Sequence, residues 1–163
     1  ARAVAGAIAW RFVRREAARR LMISVLVIAH EPLATALIHC TRHIYKALPR
    51  QVAALDVIPD EDPQAALEAA RGLASRVNDG SGLVVLTDLY GATPSRIAAQ
   101  LADPFRVVVF HGVNLPMLLK VLNYRRELPL EALADKVEQA APTSLGLINP
   151  LLEAESACEK PKS

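Results

Sequence analysis

The fold of this chain is decided by the stretch ISVLVIAH, residues 23–30. The run is apolar without alternation and rich in β-branched residues, which is typical of a central parallel strand covered on both faces. It ends in the imidazole of His30. Because ligands bind beyond the carboxyl ends of the strands in open α/β sheets, the sequence predicts a chemical role for His30.

The composition is that of a globular protein with one domain. The chain has 163 residues, of which 52% are hydrophobic, and no apolar run reaches the roughly 20 residues that a bilayer requires. Residues 1–21 carry six Arg and one Glu, which leaves 13 basic and 16 acidic residues in the remainder. A mildly acidic body argues against nucleic acid as a partner, because phosphate contacts require clustered Lys and Arg.

Cysteine and histidine spacing does not indicate a disulfide or a metal site. Cys40 lies in a predicted helix and Cys158 in a polar tail, so we expect no structural disulfide and assume a reducing, cytoplasmic location. His39 and His43 have the spacing of a zinc pair, but no third ligand accompanies them. A solvated helix face is the preferred interpretation, and we expect neither a metal nor another cofactor.

The first 21 residues allow more than one interpretation. They are rich in Ala and Arg and end just before Met22, which favours a natural start at Met22 and an extension outside the fold. Alternatively, residues 14–29 form a signal peptide, although its cleavage would delete the strand that the downstream pattern requires. Trp10 and Phe12, among the arginines, could also form a helix on a membrane surface.

Downstream, strands and helices alternate over short connections. We predict strands at residues 52–57, 83–88 and 107–110 and helices at residues 33–48, 63–77, 93–101, 116–123 and 130–140. This order predicts a doubly wound open parallel sheet of four strands, in the order 2-1-3-4, with helices on both faces. Residues 145–148 could add a fifth edge strand. The predicted domain spans residues 22–141, and residues 142–163 form a flexible tail.

The first helix shows a regular apolar stripe. Its members recur at steps of four and three and are Leu33, Leu37, Cys40, Ile44 and Leu48. Such spacing places side chains on one helix face, so we expect this stripe to pack against the sheet.

Residues that can carry chemistry follow several strands at the same predicted edge. Asp88 comes directly after the third strand, and His111 and Gly112 follow the fourth. Because parallel strands point the same way, Asp88 is expected beside His30. Its carboxylate could accept the Nδ1–H of the imidazole, fix the tautomer and leave Nε2 as a free lone pair. His111 could also contact this site.

The segment DLYGATP, residues 88–94, predicts an anion site. Gly91 allows a tight turn, Thr93 can cap the next helix, and Pro94 suits the first helical position. Backbone N–H groups at a helix start attract anions such as a phosphoryl group. An ordinary strand-to-helix turn is the plainer alternative. The glycine-rich motifs of nucleotide-binding loops are missing from the sequence.

These features resemble the enzyme IIA proteins of the mannose-type sugar phosphotransferase system. The resemblance spans residues 22 to about 140. It rests on the strand ending in His30, on residues 88–94 and on the segment GVNLPML, residues 112–118. It implies that His30 accepts a phosphoryl group from the phosphocarrier protein HPr and passes it to a IIB protein, while Asp88 orients the ring. The candidate phosphoryl-binding residues are Gly91, Thr93, Ser95 and Asn114.

The resemblance further implies a homodimer that works without a cofactor and reaches membrane permease subunits through IIB. The sequence departs from the family pattern in three places. Glu31 replaces a small residue after His30, Ala92 replaces a second glycine, and the C-terminal tail is atypical. We expect Glu31 to face solvent, because a carboxylate that pointed inward would repel a phosphoryl group.

Two other functions are compatible with the sequence. The first is a regulatory binding module whose choice of partner depends on phosphorylation of His30, without a sugar acceptor. The second is a small hydrolase in which His30 acts as base and Asp88 as its orienting group. The hydrolase ranks last, because the sequence contains no convincing nucleophile elbow.

Overall fold

The computed structural model describes residues 22–146, which form a four-stranded parallel sheet. Its strands are β1 (Ser24–His30), β2 (Val52–Val57), β3 (Leu83–Thr87) and β4 (Val107–Phe110). Their order across the sheet is β2-β1-β3-β4, and every neighbouring pair is parallel. The predicted fold class and strand order are therefore confirmed.

Between residues 22 and 146, five helices cover the two faces of the sheet. They are α1 (Leu33–Tyr45), α2 (Pro63–Val77), α3 (Thr93–Ala99), α4 (Leu115–Tyr124) and α5 (Leu130–Ala140), and a 3₁₀ helix, Ala141–Ser144, follows α5. Helices α1, α4 and α5 pack on one face, and α2 and α3 pack on the other. Residues 142–144, which we predicted as part of a tail, thus belong to the 3₁₀ helix.

Strand β1 contributes to both hydrophobic layers. Val25 and Val27 face the layer of α1, α4 and α5, whereas Leu26 and Ile28 face the layer of α2 and α3. All four side chains are fully buried. A strand that is covered on both faces needs apolar residues at successive positions, which is why this stretch shows no alternation.

The apolar stripe predicted for α1 is wrong. The helix buries Ala34, Leu37 and Thr41, whereas the side chains of Leu33 and Ile44 are 37% and 49% exposed. Small residues at 34 and 41 let the helix approach the sheet closely. The hydroxyl of Thr41 donates to the carbonyl of Ile38 within the helix, so its burial leaves no polar group unpaired.

One of the two predicted helix caps is present. The side chain of Asn114 accepts the backbone N–H of Met117 at 2.8 Å and caps α4. At α3 the prediction is off by one residue, because Ala92 occupies the cap position and Thr93 is already helical. Pro94 therefore takes the second helical position rather than the first.

Several expectations concern the ends of the chain. Leu145 and Gly146 lie in no strand, and residues 147–148 of the proposed fifth strand lie outside the described residues. The same holds for residues 1–21, including Trp10 and Phe12, and for Cys158. Residues 24–29, which the signal-peptide alternative would remove, lie in the central strand. Between residues 22 and 146, no helix has the length and apolar character needed to cross a membrane.

Candidate functional site

His30 and Asp88 are in direct contact at the carboxyl edge of the sheet. One carboxylate oxygen of Asp88, Oδ2, lies 2.7 Å from Nδ1 of His30 and also accepts the backbone N–H of His30 at 2.9 Å. The contact forms because β1 and β3 are neighbouring strands. His30 is the last residue of β1, and Asp88 directly follows β3. The structure thus brings the two residues together as the sequence predicted.

Hydrogen bonds from backbone N–H groups fix both the side chain and the main chain of Asp88. Its second carboxylate oxygen, Oδ1, accepts the N–H of Leu89 at 2.8 Å. Its carbonyl accepts the N–H of Gly112 at 2.7 Å, in the turn after β4. Asp88 therefore connects the ends of three strands, β1 through its carboxylate and β4 through its main-chain carbonyl, which restricts the positions that the imidazole can occupy.

The hydrogen bonds to Asp88 favour its ionised form. Partial burial alone would raise the pKa of this carboxyl group. The backbone N–H of His30, its imidazole and the N–H of Leu89 outweigh that effect and lower the pKa below its ordinary value. Asp88 is therefore a carboxylate at neutral pH, able to hold an N–H of the ring and to stabilise positive charge there.

The imidazole is open to an incoming group. The side chain of His30 is 52% exposed, whereas that of Asp88 is only 13% exposed. Nδ1 is engaged by the carboxylate, and Nε2 has no hydrogen-bond partner among residues 22–146. A nucleophile with one nitrogen oriented and the other accessible suits the transfer of a group between proteins.

A cleft of about 430 Å³ adjoins the imidazole. His30 and Glu31 border it on one side, the turn after β2 on another, and Thr93 at the start of α3 on a third. Glu31 is exposed, as predicted, although it still borders this cleft. Thr93 is exposed as well, and its hydroxyl forms no cap on α3.

The turn between β3 and α3 explains why the chain tolerates Ala92. Gly91 has a φ of 81°, a left-handed backbone that favours glycine. Ala92 has a φ of −77°, which any residue adopts readily. The turn therefore needs glycine only at position 91.

Two further candidate residues serve the local backbone. The hydroxyl of Ser95 donates to the carbonyl of Ala92 at 2.9 Å, within the first turn of α3. The amide of Asn114 caps α4 and reaches Ser144 Oγ at 3.3 Å. Neither residue lines the cleft beside His30.

The structure adds residues to the site that the sequence analysis missed. Asp60 and Glu61, in the turn after β2, line the cleft. Tyr90 is 78% exposed and packs against His111, with ring centroids 5.1 Å apart. In the sequence, the position of Tyr90, an aromatic residue within a predicted turn, could have indicated its exposure. His111 thus packs, with its ring tilted against that of Tyr90, on the turn that follows Asp88, and no direct bond joins it to His30 in the part of the chain that the structure describes.

The described residues contain no group of three side chains able to hold a metal ion. His39 and His43 lie on the exposed side of α1, together with Arg42 and Lys46. Their cationic neighbours disfavour a cation there.

The fold and this site define a class: a small α/β protein with a carboxylate-bound histidine at the carboxyl edge of its sheet. The sequence profile of the family EIIA-man, described as PTS system fructose IIA component, matches residues 24–138. The chain therefore belongs to the EIIA-man family, whose proteins act in sugar phosphotransfer by the phosphotransferase system.

Individual relatives agree with this assignment. The fructose-specific EIIA component of Bacillus subtilis (strain 168) is 28% identical over 133 residues, which cover 81% of this chain and 90% of the relative. A phosphotransferase system EIIA component from Streptococcus agalactiae superposes with a TM-score of 0.69 at 22% identity, covering 77% of this chain and 97% of that one. The mannose/sorbose-specific IIA subunit from Enterococcus faecalis gives a TM-score of 0.66 at 17% identity, with coverage of 78% and 96%.

Proposed function

We propose that this protein is a phosphohistidine carrier that accepts a phosphoryl group on His30 from HPr and passes it to a IIB protein. The observation that carries the proposal is the pairing of Nδ1 with Asp88 at 2.7 Å while the ring stays half exposed. Phosphoryl transfer asks a protein mainly for positioning and charge stabilisation, and this pair offers both.

The reaction exchanges one phosphorus–nitrogen bond for another. Nε2 of His30 attacks the phosphorus of the donor phosphohistidine, the bond to the donor nitrogen breaks, and the electron pair stays with the donor ring. The imidazole of His30 gains positive charge as the new bond forms. The carboxylate of Asp88 stabilises that charge and keeps the proton on Nδ1, so that Nε2 remains the nucleophile.

The phosphoryl oxygens would be held at the start of α3. Thr93 borders the cleft with an exposed hydroxyl, and the first N–H groups of a helix have no partner within it. Gly91 shapes the turn that presents these groups. We assign Ser95 and Asn114 supporting parts, since their side chains hold the starts of α3 and α4.

The rim of the cleft suits a protein partner. Ile58 is an exposed apolar side chain that lines it, and Glu31, Asp60 and Glu61 add negative charge. Leu89 and Tyr90 are exposed in the turn that follows Asp88. Apolar groups with a charged border are typical of transient docking surfaces. We propose that HPr and IIB use this rim in turn, that the protein acts in the cytoplasm as a homodimer, and that permease subunits are reached through IIB.

A phosphorylation assay tests the proposal. The full chain is incubated with labelled phosphoenolpyruvate, enzyme I and HPr, and we expect acid-labile, base-stable label on the wild type. His30→Ala should abolish the label, while His39→Ala, a change of another exposed histidine, should retain it. Absence of label on the wild type, or its persistence in His30→Ala, would refute the proposal. Addition of the cognate IIB protein should then remove the label. Label that no IIB protein accepts would favour the regulatory alternative.

A further inference from the structure

A second pocket lies at the opposite, amino edge of the sheet. It has a volume of about 270 Å³ and is bordered by the end of α1, the loop before β2 and the end of α4. We call it the distal pocket. Its walls combine three arginines with aromatic and aliphatic surface, and its main lining residues are Tyr45, Leu48, Arg50, Leu122, Arg125 and Arg126.

The positive charge of this pocket is uncompensated within the described residues. No acidic side chain lines it, and none of its three arginines forms a salt bridge in residues 22–146. Burial, together with the nearby charge of Arg126, lowers the pKa of Arg125 to about 10, so the guanidinium is still charged at neutral pH. Adjacent like charges in a partly desolvated site are costly unless an anion accompanies them.

Arg125 is a fixed part of the pocket. The residue is only 4% exposed, and its guanidinium donates to the carbonyl of Arg50 at 2.7 Å. Its contacts to the carbonyls of Ile23 and Gln51 are long, at 3.4 and 3.5 Å. A guanidinium has five N–H donors, so these bonds hold the group in place and leave donor capacity for a ligand.

The remaining walls indicate the shape of the ligand. Tyr45 donates its hydroxyl to Asn123 at 2.6 Å, so its ring forms a fixed side of the pocket. Leu48 and Leu122 add aliphatic surface. Ligand sites in proteins commonly pair such apolar walls with a few convergent polar groups, and this volume suits a small molecule.

We propose that the distal pocket binds a small organic anion. Its phosphate or carboxylate group is held by Arg50, Arg125 and Arg126, and its apolar part packs against Leu48 and Leu122. Guanidinium groups bind both kinds of oxyanion through paired N–H donors. The site is separate from His30, which lies at the carboxyl edge of the same sheet.

A titration followed by amide NMR tests this proposal on the full chain. With phenyl phosphate as the probe, we expect saturable shifts in residues 45–51 and 122–126, whether or not the phosphoryl cleft at residues 88–95 also responds. Benzoate distinguishes a carboxylate preference from a phosphate preference. Phenol, which has the ring without the charge, should bind at least about tenfold more weakly.

Matched double variants distinguish specific binding in the distal pocket from general attraction of the anion by positive charge. Arg50→Ala/Arg126→Ala should weaken phenyl phosphate binding about tenfold or more, while Arg125 is kept because it holds backbone carbonyls. Arg71→Ala/Arg76→Ala removes the same charge from exposed positions on α2, on the other face of the sheet, and should change the affinity less than twofold. Equal losses in the two variants, or no saturable shifts in residues 45–51 and 122–126 of the wild type, would overturn the proposal.

Discussion

A single carboxylate oxygen of Asp88 holds both the ring and the backbone of His30. Oδ2 lies 2.7 Å from Nδ1 and 2.9 Å from the backbone nitrogen. The backbone pairing of β1 with β3 ends at Ile28 and Thr87, so the side chain of Asp88 supplies the acceptor that a longer β3 would have offered. Strand pairing and ring orientation therefore depend on the same atom.

Replacement of Asp88 by Asn should slow phosphorylation of His30 by about tenfold or more. The carboxylate accepts N–H bonds from His30, its ring and Leu89, whereas an amide has only one acceptor atom, so at least one of these donors loses its partner. Rates of label transfer from phosphorylated HPr measure the effect. Asp135→Asn, an exposed change on α5, is the control and should leave the rate unchanged. A normal rate in Asp88→Asn would show that orientation of the ring does not limit transfer.

Asp88 should also make stability depend on pH in the acid range. Its pKa in the folded protein lies below the ordinary value of 3.8, so the ionised form stabilises the fold at neutral pH, and this contribution is lost as the pH falls through the folded pKa. We expect the wild type to exceed Asp88→Asn by about 1–3 kcal/mol in free energy of unfolding at pH 7. Urea denaturation at pH 5 and at pH 3 should show a smaller difference at pH 3. A difference at pH 3 that equals or exceeds the one at pH 5 would contradict this account.

Gly91→Ala should destabilise the protein by about 1–2 kcal/mol. The backbone of Gly91 has a φ of 81°, and an added Cβ would meet no atom within 4 Å, so the cost arises from backbone strain alone. Gly72→Ala is the matched change, because that position is helical and equally open. It should stabilise the protein by about 0.5–1 kcal/mol. Thermal or urea unfolding of both variants should show changes of opposite sign in the free energy of unfolding.

Thr87→Val should be neutral or stabilise the fold by up to about 1 kcal/mol. Within residues 22–146 the buried hydroxyl of Thr87 has no hydrogen-bond partner. Ser24→Ala is the contrast, because the buried hydroxyl of Ser24 donates to the carbonyl of Val77 at 2.7 Å. Its loss should cost about 1 kcal/mol. A loss of more than about 1 kcal/mol in Thr87→Val would contradict the view that this hydroxyl is unpaired.

Regular elements with clear punctuation could be predicted well. The predicted bounds of β2, β4 and α5 match the structure, because a Gly or Pro follows each of these elements within two residues. The sequence also predicted the edge that carries His30 and Asp88. Both residues terminate apolar strands, and parallel strands bring their carboxyl ends together.

Features that depend on long-range packing could not be predicted in the same way. Leu37 belongs both to the expected stripe of α1 and to the buried face. Contact with the sheet determines that Ala34 and Thr41 are the other buried residues of this helix. Asp60 and Glu61 line the cleft because β2 lies beside β1, although they follow His30 in the chain by 30 and 31 positions.

The parallel α/β architecture and the placement of an imidazole and a carboxylate at one edge of the sheet follow from the amino-acid sequence alone, since apolar runs and the alternation of strands with helices are local properties. Three features depend on the packing of the folded chain: which oxygen holds His30, which face of α1 is buried, and the meeting of Arg50, Arg125 and Arg126 in one pocket. These features arise from the rotation of helices and the closure of loops on the sheet. Both are set by contacts between residues that lie far apart in the chain.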